Sequence, residues 1–166
     1  MLTGCEANLL DLDGNIDLPD DVQTSLDIVL LGIHNQVGYP GRMRTENTNA
    51  LIRAIERHRI HIITHPNQAK FPVDLPRLMH AAQFHGTLLE LNLSMLRRGR
   101  EAESCQELVH AAVQSGVKLV VSSDAHVATE LGDDSPLANL GRSLPDHIVL
   151  GRINGHQEII DFLSKK

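Results

Sequence analysis

The sequence predicts an α/β fold built around a parallel sheet, and three observations carry that prediction. Apolar, β-rich runs alternate with stretches of helical spacing along the chain, the signature of βαβ units. The apolar runs are mostly unbroken rather than alternating, as expected of parallel strands buried on both faces. No internal repeat, low-complexity stretch or linker interrupts the pattern, so residues 1–166 read as a single domain.

The strand candidates are CEANLL (5–10), DIVLLGI (27–33), IHIITH (60–65), TLLELNL (87–93) and KLVVSS (118–123). Between them, residues 47–58 place Leu51, Ala54, Ile55 and His58 on one helical stripe. Residues 74–85 begin with Asp74 as N-cap and Pro76 in the first turn, and turn Leu75, Leu78, Met79 and Ala82 inward. Residues 104–116 open on a capping box from Ser104 to Glu107. They carry Cys105, Leu108, Val109, Ala112 and Val113 inward and stop at Gly116. A last helix, about 155–164, has Asn154 and Gln157 as a similar opening box. The segment NQVGYPGRMRTEN after His34 has no periodicity and reads as a long loop, a place where function is often carried.

Composition narrows the function classes. Of 166 residues, 42% are hydrophobic and 22% charged, enough for a core and too apolar for disorder. The net charge of −6, without a run of Lys and Arg, argues against non-specific nucleic-acid binding and against an anionic membrane surface. An anionic substrate stays open, because a bound metal reverses the local charge. With no Trp, one Tyr and three Phe there is little to stack bases on. The apolar run at 28–33 is too short to span a bilayer. Cys5 and Cys105 stand in no metal or redox spacing and read as separate thiols, which points to a reducing cytoplasm.

Polar residues collect at the ends of the apolar runs. Glu6 lies near the end of the first, His34 follows the second, His65 follows the third, Asn92 and Ser94 end the fourth, and Asp124 and His126 follow the fifth. In a parallel sheet the C-terminal strand ends share one face, where sites assemble. Imidazoles and carboxylates there suit divalent metals such as Zn, Mn or Fe, which activate water and clamp phosphoryl groups. A lone histidine at a strand end is more often structural; Glu6, His34, His65, Asp124 and His126 together favour metal. His58, His80, His85 and His110 fall on helices, His61 begins a strand, and His147 and His156 flank the last turn and helix; none is taken as a ligand. Arg42 and Arg44 in the long loop are candidate phosphate contacts, and Asn92 and Ser94 candidate pocket residues. The acidic stretch DLDGNID has the wrong spacing for a calcium loop and reads as a turn at Asp13-Gly14.

Taken in order, GCEANLLDLDGNIDLP, LDIVLLGIH, HIITHP, LLELNLS and VVSSDAH give the chain its likeness. It resembles the PHP (polymerase and histidinol phosphatase) family over essentially its whole length, and most of all the stand-alone bacterial phosphatase branch. The resemblance implies a distorted seven-stranded α/β barrel that binds up to three divalent metals and hydrolyses phosphate esters. It implies that Glu6 is a bridging carboxylate, that His34 and His65 complete one site with it, and that Asp124 and His126 each serve a different metal. The chain departs from the pattern in lacking the H-x-H motif of the first strand and two further histidines. It therefore reads as an incomplete barrel with about five parallel strands, lacking roughly the first two βα units, in which one metal site keeps its full ligand set. Truncation, a complementing chain or self-association into a homo-oligomer would each account for the gap. The expected activity is metal-dependent hydrolysis of small phosphate monoesters. The alternatives are an inactive or regulatory fragment with at most one metal and, against the lack of a polymerase segment and basic strip, a PHP module of a DNA polymerase.

Overall fold

The computed structural model describes residues 2–97, 101–143 and 155–165. Among the described residues, five strands form one parallel sheet: β1 (Gly4–Asn8), β2 (Ile28–Gly32), β3 (Ile62–Ile63), β4 (Leu88–Asn92) and β5 (Leu119–Ser122). The described helices are α1 (Asp20–Ser25), α2 (Arg44–Arg57), α3 (Leu75–Phe84), α4 (Leu93–Arg97), α5 (Ala102–Ser115), α6 (Ser135–Ser143) and α7 (His156–Leu163). The strand order is β1-β2-β3-β4-β5. Each strand lies beside its sequence neighbour, so every crossover runs the same way. With the usual right-handed crossover this places the connecting helices on one face of the sheet and gives the open arc of an incomplete barrel.

The register divides the side chains cleanly. Glu6 pairs with Leu30, Leu30 with Ile62, Ile62 with Leu88 and Glu90 with Val120, so these residues share a face. Their neighbours Ala7, Val29, Leu31, Ile63, Leu89, Leu91 and Leu119 point the other way. They form one core cluster with Leu51 and Ile55 of α2, Leu78 and Met79 of α3, and Leu108 and Val109 of α5. The expectation of strands buried on both faces holds in part. The helix face is the more completely packed; on the opposite face Ile62, Glu90 and Val120 are buried, whereas Ile28, Leu30 and Leu88 are only partly so. The reason is topological: α2, α3 and α5 all cover the same side.

The elements follow local rules. Helix α2 begins at Arg44, three residues earlier than its periodicity suggests, because the Glu46 carboxylate accepts from the Arg42 and Met43 N–H groups at 3.0 Å each. Arg44 is therefore helical rather than part of the loop. In α3, Asp74 caps as expected, accepting from Arg77 N at 3.2 Å. Helix α5 starts at Ala102 behind Glu101, not at Ser104; the Ser104 hydroxyl instead donates to the Glu101 carbonyl at 3.0 Å inside the first turn. It ends at Gly116, in the left-handed region at φ 66°. In α7 the opening pair is Gly155 and Glu158, whose carboxylate accepts from Gly155 N at 3.0 Å. That is one residue later than expected, and Asn154 lies outside the described residues. Helices α1, α4 and α6 have no counterpart in the periodicity of the sequence; α1 and α4 are only six and five residues long.

Candidate metal centre

Three of the expected strand-end residues meet. Glu6 rises from β1, His34 follows β2 and His65 follows β3. Their facing atoms form a nearly equilateral triangle. His34 Nε2 lies 3.3 Å from Glu6 Oε1, His65 Nε2 lies 3.2 Å from the same oxygen, and the two Nε2 atoms are 3.2 Å apart. A tetrahedral ion with bonds of about 2.0–2.1 Å separates its ligands by about 3.3–3.4 Å. The triangle therefore fits one divalent ion with a fourth position open. Among the described residues this is the one group of three or more His, Cys, Asp or Glu side chains with that proximity.

The surroundings support the triangle. Thr64 donates its hydroxyl to Glu6 Oε1 at 2.6 Å. Asn8 Oδ1 lies 2.7 Å from His34 Nδ1. Gln68 bonds His65 Nδ1 from the other side. Burial pushes the Glu6 carboxyl upward, but the bonds to His34, His65 and Thr64 outweigh it and hold the group well below the usual carboxylate range. For His65, burial favours the neutral ring, yet the Glu6 bond and the charges of Glu90, Glu6 and Asp124 raise it above its ordinary value. Gly32 gives the site its room. A Cβ there would meet His34 Cε1 at 2.5 Å, Thr64 Oγ1 at 2.6 Å and Glu6 Oε1 at 2.9 Å. Backbone strain gathers at the same tips: His65 has φ 32° and Asp124 φ 44°, both in the left-handed region.

Asp124 and His126 do not join the triangle, although both line the same cavity of about 540 Å³ together with Glu6, His34 and His65. His126 is exposed and its Nδ1 bonds the Asp124 carbonyl at 2.9 Å. Asn92 and Ser94 also line the cavity. Asn92 also serves structure, accepting from Met95 N at 3.1 Å and donating to Glu90 Oε2 at 3.2 Å. Arg42 does not line it; its guanidinium donates to the Tyr39 and Gly41 carbonyls at 3.0 and 2.9 Å. Arg44 does not line it either, sitting exposed at the start of α2. The Lys that does is Lys70, opposed by the carboxylates of Glu6, Glu101 and Asp124, an acidic balance that suits a cation before an anion.

Sequence reasoning missed Glu90. Its carboxylate is buried in β4 and accepts from His65 N at 2.7 Å, from Asn92 Nδ2 and from the Ser122 hydroxyl. Burial raises it above the usual carboxylate range, against those hydrogen bonds. The one signal in the sequence is a lone acid inside the apolar run LLELNL. His61 is also more than the start of a strand. Fully buried, it accepts from Val29 N through Nδ1 at 2.9 Å and ties β2 to the entry of β3.

No family model matches the chain. Its sequence is 36% identical over 155 residues to a probable phosphatase of Caldanaerobacter subterraneus, covering 90% of this chain and 61% of that protein. It is 34% identical over 170 positions to a probable phosphatase of Aeromonas hydrophila, covering 100% of this chain and 68% of the relative. It is 40% identical over 136 residues to a probable phosphatase of Shewanella piezotolerans, covering 80% of this chain and 54% of that protein. The chain thus spans between 54% and 68% of the length of these relatives. With strand-end histidines and a carboxylate gathered in one cleft, and with identity at this level over its full length, the chain belongs to this family of bacterial probable phosphatases.

Proposed function

We propose that this chain carries a metal-dependent phosphoesterase site of the PHP type, acting on small phosphate monoesters. The observation that carries the reading is the Glu6-His34-His65 triangle, whose edges of 3.2 and 3.3 Å match one tetrahedral ion. Two imidazoles and a carboxylate suit Zn, Mn or Fe. When bound, such an ion supplies Lewis acidity toward water and a phosphoryl oxygen. The protein's own part is positioning and charge. Glu6 arrives ionised, Thr64 holds the carboxylate oxygen, and Gln68 holds the His65 ring. Lys70, on the cavity wall, meets the negative charge of the phosphate, the role expected at first of Arg42 or Arg44. Ser94 offers a hydroxyl to the substrate side of the same cleft. Asp124 and His126 take part in a second ion or in proton handling at the cleft mouth.

A second reading is a binding or regulatory piece that holds one ion and turns nothing over. Asp124 and His126 favour it, since neither belongs to a group of three close donors among the described residues. A complementing chain or a second copy is the proposed source of further ligands. No described helix is long and apolar enough to cross a membrane, and the free thiols of Cys5 and Cys105 fit a cytoplasmic setting.

The test is elemental analysis of the purified chain beside hydrolysis of p-nitrophenyl phosphate with added Zn²⁺ or Mn²⁺. One or more ions per chain and turnover that disappears in His65→Ala support the enzyme. One ion without turnover selects the second reading. No bound ion, and no uptake on titration, sinks both and leaves the triangle a hydrogen-bonded cluster.

A further inference from the structure

The stretch DLDGNID, unsuited to calcium, sits directly behind the metal centre. Asp11 closes it as a tight loop. Its Oδ1 accepts from Asp13 N at 2.9 Å and Asn15 N at 3.1 Å, and its Oδ2 accepts from Asn15 Nδ2 at 2.7 Å. Gly14, at φ 83°, packs against α2, where a Cβ would meet Ala54 N at 2.7 Å. Arg53 and Arg57 of α2 clamp the loop through the Leu12 and Asp13 carbonyls, at 2.7 and 2.8 Å. The chain then turns back, with Leu9 bridging Ile16 and Asp17 N donating to the Asn8 carbonyl at 3.2 Å. The loop thereby sets the Asp17 carboxylate beside Asn8.

Donors and acceptors then fix the orientation of each group in turn. An ionised carboxylate only accepts. Asp17 Oδ1 takes Asn8 N at 2.7 Å, and Oδ2 takes Asn8 Nδ2 at 2.5 Å. The Asn8 amide therefore has its NH₂ turned to Asp17 and its carbonyl oxygen turned away. That oxygen, also only an acceptor, lies 2.7 Å from His34 Nδ1. The ring nitrogen must be the donor, so the neutral ring holds its hydrogen on Nδ1. With Nδ1 holding its hydrogen, Nε2 faces Glu6 Oε1 at 3.3 Å: it donates there when the ring is protonated, and in the neutral ring its lone pair points where a cation would sit.

We propose that Asn8 and Asp17 are positioning residues, a two-step relay that locks His34 in the Nδ1–H tautomer and keeps Nε2 open for a divalent ion. The consequence for metal rests on the proposed phosphoesterase function; the tautomer itself does not. The relay explains why an acidic loop with no ligand of its own lies next to the site. Its carboxylate never needs to touch the ion to orient what does.

The experiment is ¹⁵N NMR of the histidine rings in the metal-free wild-type chain at pH 8, with His34→Gln to assign the signals, followed by Zn²⁺ titration by calorimetry. His34 is expected to show the Nδ1–H pattern. Asn8→Ala and Asp17→Ala are expected to shift it toward Nε2–H and to weaken Zn²⁺ binding by about 10- to 100-fold. A wild-type His34 in the Nε2–H form overturns the proposal, as do variants that keep both the tautomer and the affinity. A wild-type Nδ1–H signal in a chain that binds no Zn²⁺ supports the relay while removing the metal reading. Should both variants fail to fold, the wild-type tautomer still decides.

Discussion

Glu6 and His65 stabilise each other's charged forms and shift in opposite directions. The Glu6 pKa is lowered, so in the metal-free chain its contribution to stability is present above its ordinary 4.5 and is lost as pH falls toward the lowered value. That of His65 is raised, so its contribution is present below its ordinary 6.5 and is lost as pH rises through the raised value. The pair is most stabilising between those limits. Thermal melts of the chelator-treated protein are expected to fall on the alkaline side, and His65→Ala should flatten that limb. Zn²⁺ affinity should move oppositely, climbing with pH as the metal ceases to compete with the His65 proton, which calorimetry at several pH values reads directly. Glu6→Gln removes a ligand outright. Its Zn²⁺ affinity is expected to drop by more than about 100-fold, beyond what an outer-shell loss costs, with the fold kept.

At the scale of elements, the strand tips are bound to one another through side chains as well as through the ladder. Strand β3 is two residues long, and its tip is held by Glu90 of β4, which also grips Ser122 at the end of β5. Replacing Glu90 with Leu leaves the His65 N–H without its acceptor. A loss of about 1–3 kcal/mol in urea denaturation is expected, larger than for Glu90→Gln, whose carbonyl can still accept. Gly32 at the tip of β2 makes the complementary case. Gly32→Ala introduces a methyl where 2.5 Å separates it from the His34 ring. It should cost about 1–3 kcal/mol of stability, and metal titration should show that it spreads the triangle and weakens binding. Unchanged affinity in that variant would mean the three ligands are not held as closely as their distances state.

The molecule as a whole rests on one packed face. Leu108 of α5 is fully buried in the cluster that joins α2, α3 and α5 to the sheet. Leu108→Ala is expected to lower stability by about 2–5 kcal/mol, measured by chemical denaturation, while leaving the ligand triangle in place on the opposite face. This separation of faces is the architectural logic of the chain: helices stabilise one side and the tips of the strands gather the candidate ligands on the other.

The sequence by itself determined the five strands, the long helices α2, α3 and α5, and the candidacy of Glu6, His34 and His65, because burial periodicity and strand-end polarity are local properties of a chain. It marked Asp124 and His126 as well, but whether they reach the triangle depends on where the end of β5 stands in the folded sheet, and no local pattern encodes that. Only the tertiary structure decided that Glu90 holds the His65 N–H from within, and that Lys70 lines the cleft where Arg42 and Arg44 do not. It also showed the DLDGNID loop, a bare turn by its composition, reaching His34 through Asn8. These roles depend on contacts between residues far apart in the chain, 25 positions for His65 and Glu90, 26 for Asn8 and His34. Such contacts exist only once the sheet has set neighbouring strands in register.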